Sequence, residues 1–160
     1  MKLAIADPPY LGCADRYYGN GRGDGRGRLR ADYDPAAYEW DTAATHTALV
    51  RRLDREYDAW AVAMSVHSLG VYAATVKLGP TTGYRFGAWV KPRSTPSGSR
   101  IATSWEPVLF HIPQERRRYD SGSYVNDHLV TAAGGAAFMG AKPATWTRWV
   151  LDVLGYDPQT

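Results

Sequence analysis

Leu3-Ala4-Ile5-Ala6-Asp7-Pro8-Pro9-Tyr10 begins with a four-residue apolar run and stops at an acid followed by two prolines. A short apolar run closed by a turn signal is the pattern of a strand buried on both faces. Two successive prolines cannot extend it, because neither carries an N–H for the ladder. Residues 2–6 therefore read as a buried strand with Asp7 at its carboxyl end. Next, residues 41–57 place His46, Leu49, Val50, Leu53 and Tyr57 at helical spacing, with Asp41 or Thr42 available as N-cap. Ala59-Trp60-Ala61-Val62-Ala63-Met64 is a second apolar run of strand length, and 65–78 reads as a turn and helix ended by Gly79-Pro80. Strand, helix, strand and helix in succession predict an α/β fold with a mostly parallel sheet covered by helices on both faces.

Two further strands are expected at 84–90 and 106–112, separated by a loop at 92–104 rich in Pro, Ser and Gly. A last helix at 144–154 carries Trp146, Trp149, Val150, Val153 and Leu154 on one side and ends at Gly155. Residues 11–36, rich in Gly, Arg, Asp and Tyr, read as a long flexible basic loop of the kind that often serves as a lid. With 160 residues, 44% hydrophobic and 22% charged, the chain can bury a core and lacks the composition of a disordered segment. One domain spanning 1–160 accounts for it.

The chemistry open to Asp7-Pro8-Pro9-Tyr10 is narrow. The exocyclic N6 of adenine is a poor nucleophile because its lone pair is delocalised into the ring. The Asp7 carboxylate and the backbone carbonyl of Pro8, held by the fixed φ of proline, can accept both N6 hydrogens and return that lone pair to the nitrogen. Tyr10 adds a flat face on which an extruded base can stack, worth roughly 1–3 kcal/mol per base. A proline pair closing a strand is also an ordinary turn, so the motif's weight comes from its company.

That company resembles the S-adenosylmethionine-dependent amino methyltransferases that modify adenine N6 or cytosine N4, whose catalytic motif D/N/S-P-P-Y/F/W stands here as Asp7-Pro8-Pro9-Tyr10. Tyr84-Arg85-Phe86-Gly87-Ala88-Trp89-Val90-Lys91-Pro92 is similar to the family's strand ending in Trp-x-Lys-Pro, and Trp105-Glu106-Pro107-Val108-Leu109-Phe110 to its segment with a Glu before an apolar strand. Taken singly, both are also ordinary buried strands. Lys142-Pro143, opening the last helix, resembles the family's Lys-Pro motif beside the cofactor, although a proline there is also common capping chemistry.

The resemblance implies a Rossmann-like methyltransferase fold and methyl transfer from S-adenosylmethionine to adenine N6 in DNA, in an enzyme of the restriction or phage type. Asp7, Pro8, Pro9 and Tyr10 are then catalytic, and Asp7, Lys142 and Pro143 lie at the cofactor. Asp at the first motif position favours adenine over cytosine. An RNA adenine-N6 methyltransferase, or an inactive nucleic-acid-binding remnant of the same fold, are the alternatives. The family's strand followed by F-x-G-x-G does not occur in residues 1–160. An N-terminal fragment incomplete at its C-terminus is the favoured reading, against a truncated inactive product or a pocket completed by another chain.

Four of the 19 basic side chains are Lys, leaving fifteen Arg, and the formal charge is +3, a mild sign of a polyanionic partner such as DNA. Clustering says more than the total. Arg22, Arg26, Arg28 and Arg30 sit in a Gly-rich tract that matches neither G-x-G-x-x-G nor a P-loop, and read as phosphate contacts from a mobile flap. Arg116-Arg117-Arg118 lies within 92–140, where the resemblance places substrate-recognition insertions, and reads as phosphate positioning. Solvated faces are the plain alternative for both clusters. His46, His67, His111 and His128 stand far apart with no Cys or carboxylate at ligand spacing, so no metal is expected. The single Cys13 allows no internal disulfide, and no apolar stretch approaches membrane-spanning length, so a cytoplasmic protein without membrane contact is expected. The sequence carries no sign of oligomeric state.

Overall fold

The computed structural model describes residues 1–19, 33–95, 100–116, 124–133 and 141–156. In chain order the elements are β1 (Leu3–Ala6), α1 (Ala14–Tyr18), a 3₁₀ turn (Ala37–Asp41), α2 (Ala43–Glu56), β2 (Ala59–Ala63), a second 3₁₀ turn (Val66–Ser68), α3 (Leu69–Thr75), β3 (Tyr84–Thr95), β4 (Thr103–His111), a third 3₁₀ turn (Gln114–Arg116), β5 (His128–Val130) and α4 (Ala144–Val153). The strands form one sheet in the order β1-β2-β4-β3-β5. β1 is parallel to β2 and β5 to β3, whereas β4 is antiparallel to both of its neighbours. β1, β2, β3 and β5 therefore share one direction, and the expected mostly parallel sheet holds with β4 alone reversed. The connection from Thr95 to Thr103 explains the reversal, since so short a link can only return antiparallel.

The two-residue period of a strand divides the core. Ala59, Ala61 and Ala63 of β2, with Val108 and Phe110 of β4 and Trp89 of β3, pack against Trp146, Trp149 and Val150 of α4 and Leu154 at its C-cap. On the other face Trp60, Val62, Met64 and Leu109 meet Val50 and Leu53 of α2 and Tyr72 of α3. Helices cover both faces, as the alternation predicts. Three alanines on the α4 face leave room that the indoles fill. Each buried indole contributes roughly 5 kcal/mol of transfer free energy before its ordering cost. Gly87 belongs to the same fit, because a Cβ there would come within 2.7 Å of the Asp127 carbonyl oxygen, 2.8 Å of Phe110 and 3.1 Å of Trp149.

Helix ends follow local rules. Thr42 caps α2 by accepting from the Thr45 N–H at 3.3 Å. Gly155 ends α4 at φ +67°. Its N–H bonds to the Asp152 carbonyl and the Tyr156 N–H reaches back to the Leu151 carbonyl, the paired bonds of a Schellman motif.

Three differences from the sequence reading have physical causes. The stretch 11–36, whose composition marks it as loop, contains α1. That helix is capped from afar, with Asp41 accepting from the N–H groups of Ala14 and Asp15 at 2.9 Å each. β3 continues to Thr95 and β4 begins at Thr103, so both ends of the expected loop at 92–104 are strand. β5 is absent from the sequence reading because its three residues hold themselves by backbone pairing to β3, while indole N–H groups of Trp149 and Trp89 bond the flanking carbonyls of Asn126 and Thr131 at 2.9 Å each. β4 and β5 both lie within 92–140.

Candidate active site

Asp7 follows β1 directly, at the end of the sheet where the carboxyl termini of β1 and β2 emerge. Ligands of open α/β sheets sit beyond that edge. Pro8 is buried behind Asp7, and the Cys13 N–H closes a turn onto the Tyr10 carbonyl at 2.9 Å. The tetrapeptide thus forms the step between β1 and α1.

Parity along the strands brings other charges to the same place. Trp89 of β3 lies directly opposite Glu106 of β4, and Trp89, Val108 and Phe110 face α4. Glu106 and Lys91 share that parity and form a close ion pair as diagonal neighbours. Lys142, two residues before α4, reaches the same point. Its ammonium donates to both oxygens of Asp7 at 3.0 Å and to the Tyr10 hydroxyl at 3.0 Å, and lies 3.6 Å from Glu106. The Tyr10 hydroxyl in turn donates to Glu106 at 2.6 Å. The rings of Tyr10, Trp89 and Trp146 stand 5.3, 5.7 and 5.8 Å from the same ammonium, within cation–π range.

Two carboxylates and two ammonium groups balance one another, and their environments differ. Lys142 is only 9% exposed, Glu106 14%, and Asp7 39%. Burial raises the Asp7 pKa above 3.8, with Lys142 pulling it back and Glu106 adding to the rise. For Glu106 burial also pushes upward, but Lys142, Lys91 and the Tyr10 hydroxyl together outweigh it and the pKa falls below 4.5. Burial, then the charges of Glu106 and Asp7, push the Tyr10 phenol well above 10, so it remains a donor. The result is a half-open carboxylate, Asp7, beside an aromatic ring, with a second carboxylate enclosed behind them.

The structure therefore brings together Asp7, Tyr10 and Lys142, which the sequence reading singles out, with Pro143 at the N-cap position of α4. Lys91 and Glu106 join them although they are not among the candidate residues. Their signal was present, since a Lys and a Glu at the ends of buried strands must find partners. Arg116 donates to the Gly155 carbonyl at 2.8 Å and so helps close α4. Arg22, Arg26, Arg28, Arg30, Arg117 and Arg118 lie outside the described residues. Among the described residues no group of three or more His, Cys, Asp or Glu could hold a metal ion, and no helix is long and apolar enough to cross a membrane.

No family model and no curated protein matches the chain. Thirteen chains of solved structures match. One is the crystal structure of the M1.HpyAVI–SAM complex, 13% identical with a TM-score of 0.46, the alignment covering 94% of this chain and 65% of that one. The present chain thus spans a little under two thirds of the length of that protein.

Proposed function

We propose that this chain takes part in moving a methyl group from S-adenosylmethionine to adenine N6 in DNA. One observation carries the reading. Asp7, the acid of Asp7-Pro8-Pro9-Tyr10, stands at the carboxyl edge of the sheet with part of its carboxylate open and with Tyr10 and Lys142 fixed against it.

The donor set fits the proposed cofactor at its transferring end. The half-open Asp7 carboxylate is the group that can face a sulfonium, since the Lys142 ammonium already occupies the space among Tyr10, Trp89 and Trp146. Asp7, Lys142 and Pro143 are the residues that would hold it. When bound, S-adenosylmethionine supplies an electrophilic methyl group.

The chain's own residues supply the remainder. Each Asp7 oxygen keeps a lone pair beyond the one engaged by Lys142, and these accept N6–H while the Pro8 carbonyl accepts the second hydrogen. The amine nitrogen is thereby drawn out of conjugation, and aligned acceptors of this kind favour the transition state over the ground state. Tyr10 supports the extruded base. The proton that N6 carries in excess after methyl transfer leaves afterwards. DNA contact is assigned to Arg22, Arg26, Arg28 and Arg30 and to Arg116, Arg117 and Arg118, with phosphate positioning favoured over base reading.

Labelled methyl transfer tests this directly. Incorporation into unmethylated duplex DNA by the wild-type protein, lost in Asp7→Ala, is expected. Equal incorporation by both removes Asp7 from the chemistry. Preference for single-stranded RNA transfers the reading to RNA, and salt-sensitive DNA binding with no incorporation identifies an inactive binding remnant.

A further inference from the structure

We propose that Glu106 is the positioning residue of Tyr10, tying a loop aromatic to the rigid sheet so that its ring stands ready for an incoming base. This rests on the reading above that the site admits a nucleobase. Tyr10 belongs to the turn after β1 and is held in part by its own backbone. Without an anchor its ring would sample several rotamers, and each stacking event would have to order it.

The hydroxyl supplies the anchor. It donates to Glu106 at 2.6 Å and accepts from Lys142 at 3.0 Å, so both of its roles are used. Glu106 is itself immobile, paired in register with Trp89 across the β3–β4 ladder and bound to Lys91 through its other oxygen. The chain of contacts runs from the sheet through a carboxylate to a phenol. A hydrogen bond to an ionised acceptor, and one this short, is the strong kind. Glu106 thus acts on the base through Tyr10.

A double-mutant cycle tests it. Tyr10→Phe keeps the ring and every charge while removing the tether. Glu106→Ala removes the acceptor, and Glu106→Gln keeps one. At about pH 8, where carboxylates are ionised, kcat for methyl transfer is expected to fall about tenfold in Tyr10→Phe and in Glu106→Ala, the scale of one hydrogen bond to a charged group. The double variant should fall no further than Glu106→Ala, and Glu106→Gln should recover part of the loss. Wild-type kcat in Tyr10→Phe, or a double variant that loses the product of the two single effects, overturns the proposal.

A second readout needs no activity. The Tyr10 phenol, isolated by subtracting the absorbance titration of Tyr10→Phe, should titrate at lower pH in Glu106→Gln, and an unmoved titration overturns the tether. Absence of methyl transfer in the wild type with a moved titration would count against the assigned reaction while upholding the tether.

Discussion

Lys142 Nζ stands 3.0 Å from both carboxylate oxygens of Asp7, joining positions 135 residues apart at one edge of the sheet. The same ammonium lies 3.6 Å from Glu106, so it separates two acids that would otherwise repel. Burial and the neighbouring Glu106 charge raise the Asp7 pKa, and this cation pulls it back down.

Two substitutions should therefore move the pH profile of methyl transfer in opposite directions. Lys142→Met removes the charge that lowers the Asp7 pKa, and the acid limb of kcat/KM should shift to higher pH. Glu106→Gln removes a charge that raises it, and the limb should shift to lower pH. Shifts of the same sign in the two variants would show that the limb does not report Asp7.

Glu106 also links the cluster to stability. Its folded pKa lies below the ordinary 4.5, so the folded state binds fewer protons than the unfolded chain in that window. Its contribution is full above about pH 4.5 and disappears as pH falls through the folded value. Denaturant midpoints measured from pH 6 down to about pH 3 should decline less steeply in Glu106→Gln than in the wild type.

His46 is buried between α2 and α3, with Nε2 2.7 Å from the Trp40 carbonyl and Nδ1 2.7 Å from the Tyr72 hydroxyl. A carbonyl only accepts, so Nε2 carries the proton and neutral Nδ1 accepts from Tyr72. Burial holds the pKa below 6.5 although the Trp40 carbonyl and Asp41 pull upward. The unfolded chain takes up a proton below pH 6.5 before the folded one does, so stability is full above 6.5 and is lost as pH falls towards the folded value. Tyr72→Phe leaves Nδ1 unsatisfied and should cost about 1–3 kcal/mol at neutral pH by denaturant unfolding.

Gly87→Ala should destabilise by about 1–3 kcal/mol, the usual cost of overpacking, because the new methyl meets the Asp127 carbonyl, Phe110 and Trp149 together. A lower denaturant midpoint with an unchanged slope is the expected signature. No change in midpoint would mean that β5 and α4 can retreat freely.

Asp41→Ala removes both caps of α1 at once. Loss of such a cap costs about 1 kcal/mol, and a five-residue helix has little else to hold it. Amide exchange of Tyr17, whose N–H bonds to the Cys13 carbonyl, should accelerate selectively while α2 and β2 keep their protection.

What could be read from the sequence is what short-range physics controls. The apolar run before Asp7, the three-to-four spacing of His46, Val50 and Leu53, the alternating alanines of β2 and the glycine after α4 each declare an element or its end within a few residues, because dihedral preference and burial period are local. The motif also declared its acid. Lys91 and Glu106 could be placed on strands yet not in the site, since parity states which face a residue takes and leaves open which strand lies beside it. α1 and β5 escaped for a related reason, as their stabilising bonds come from Asp41, Trp149 and Trp89, distant in the chain. Sequence alone thus determined β1, α2, β2 and α4 and singled out Asp7 as the candidate acid. Tertiary structure alone decided that β4 inserts between β2 and β3 and that α4 delivers Lys142 to Asp7. The energy of a charge cluster depends on distances between segments about a hundred residues apart, which packing sets and no local pattern encodes.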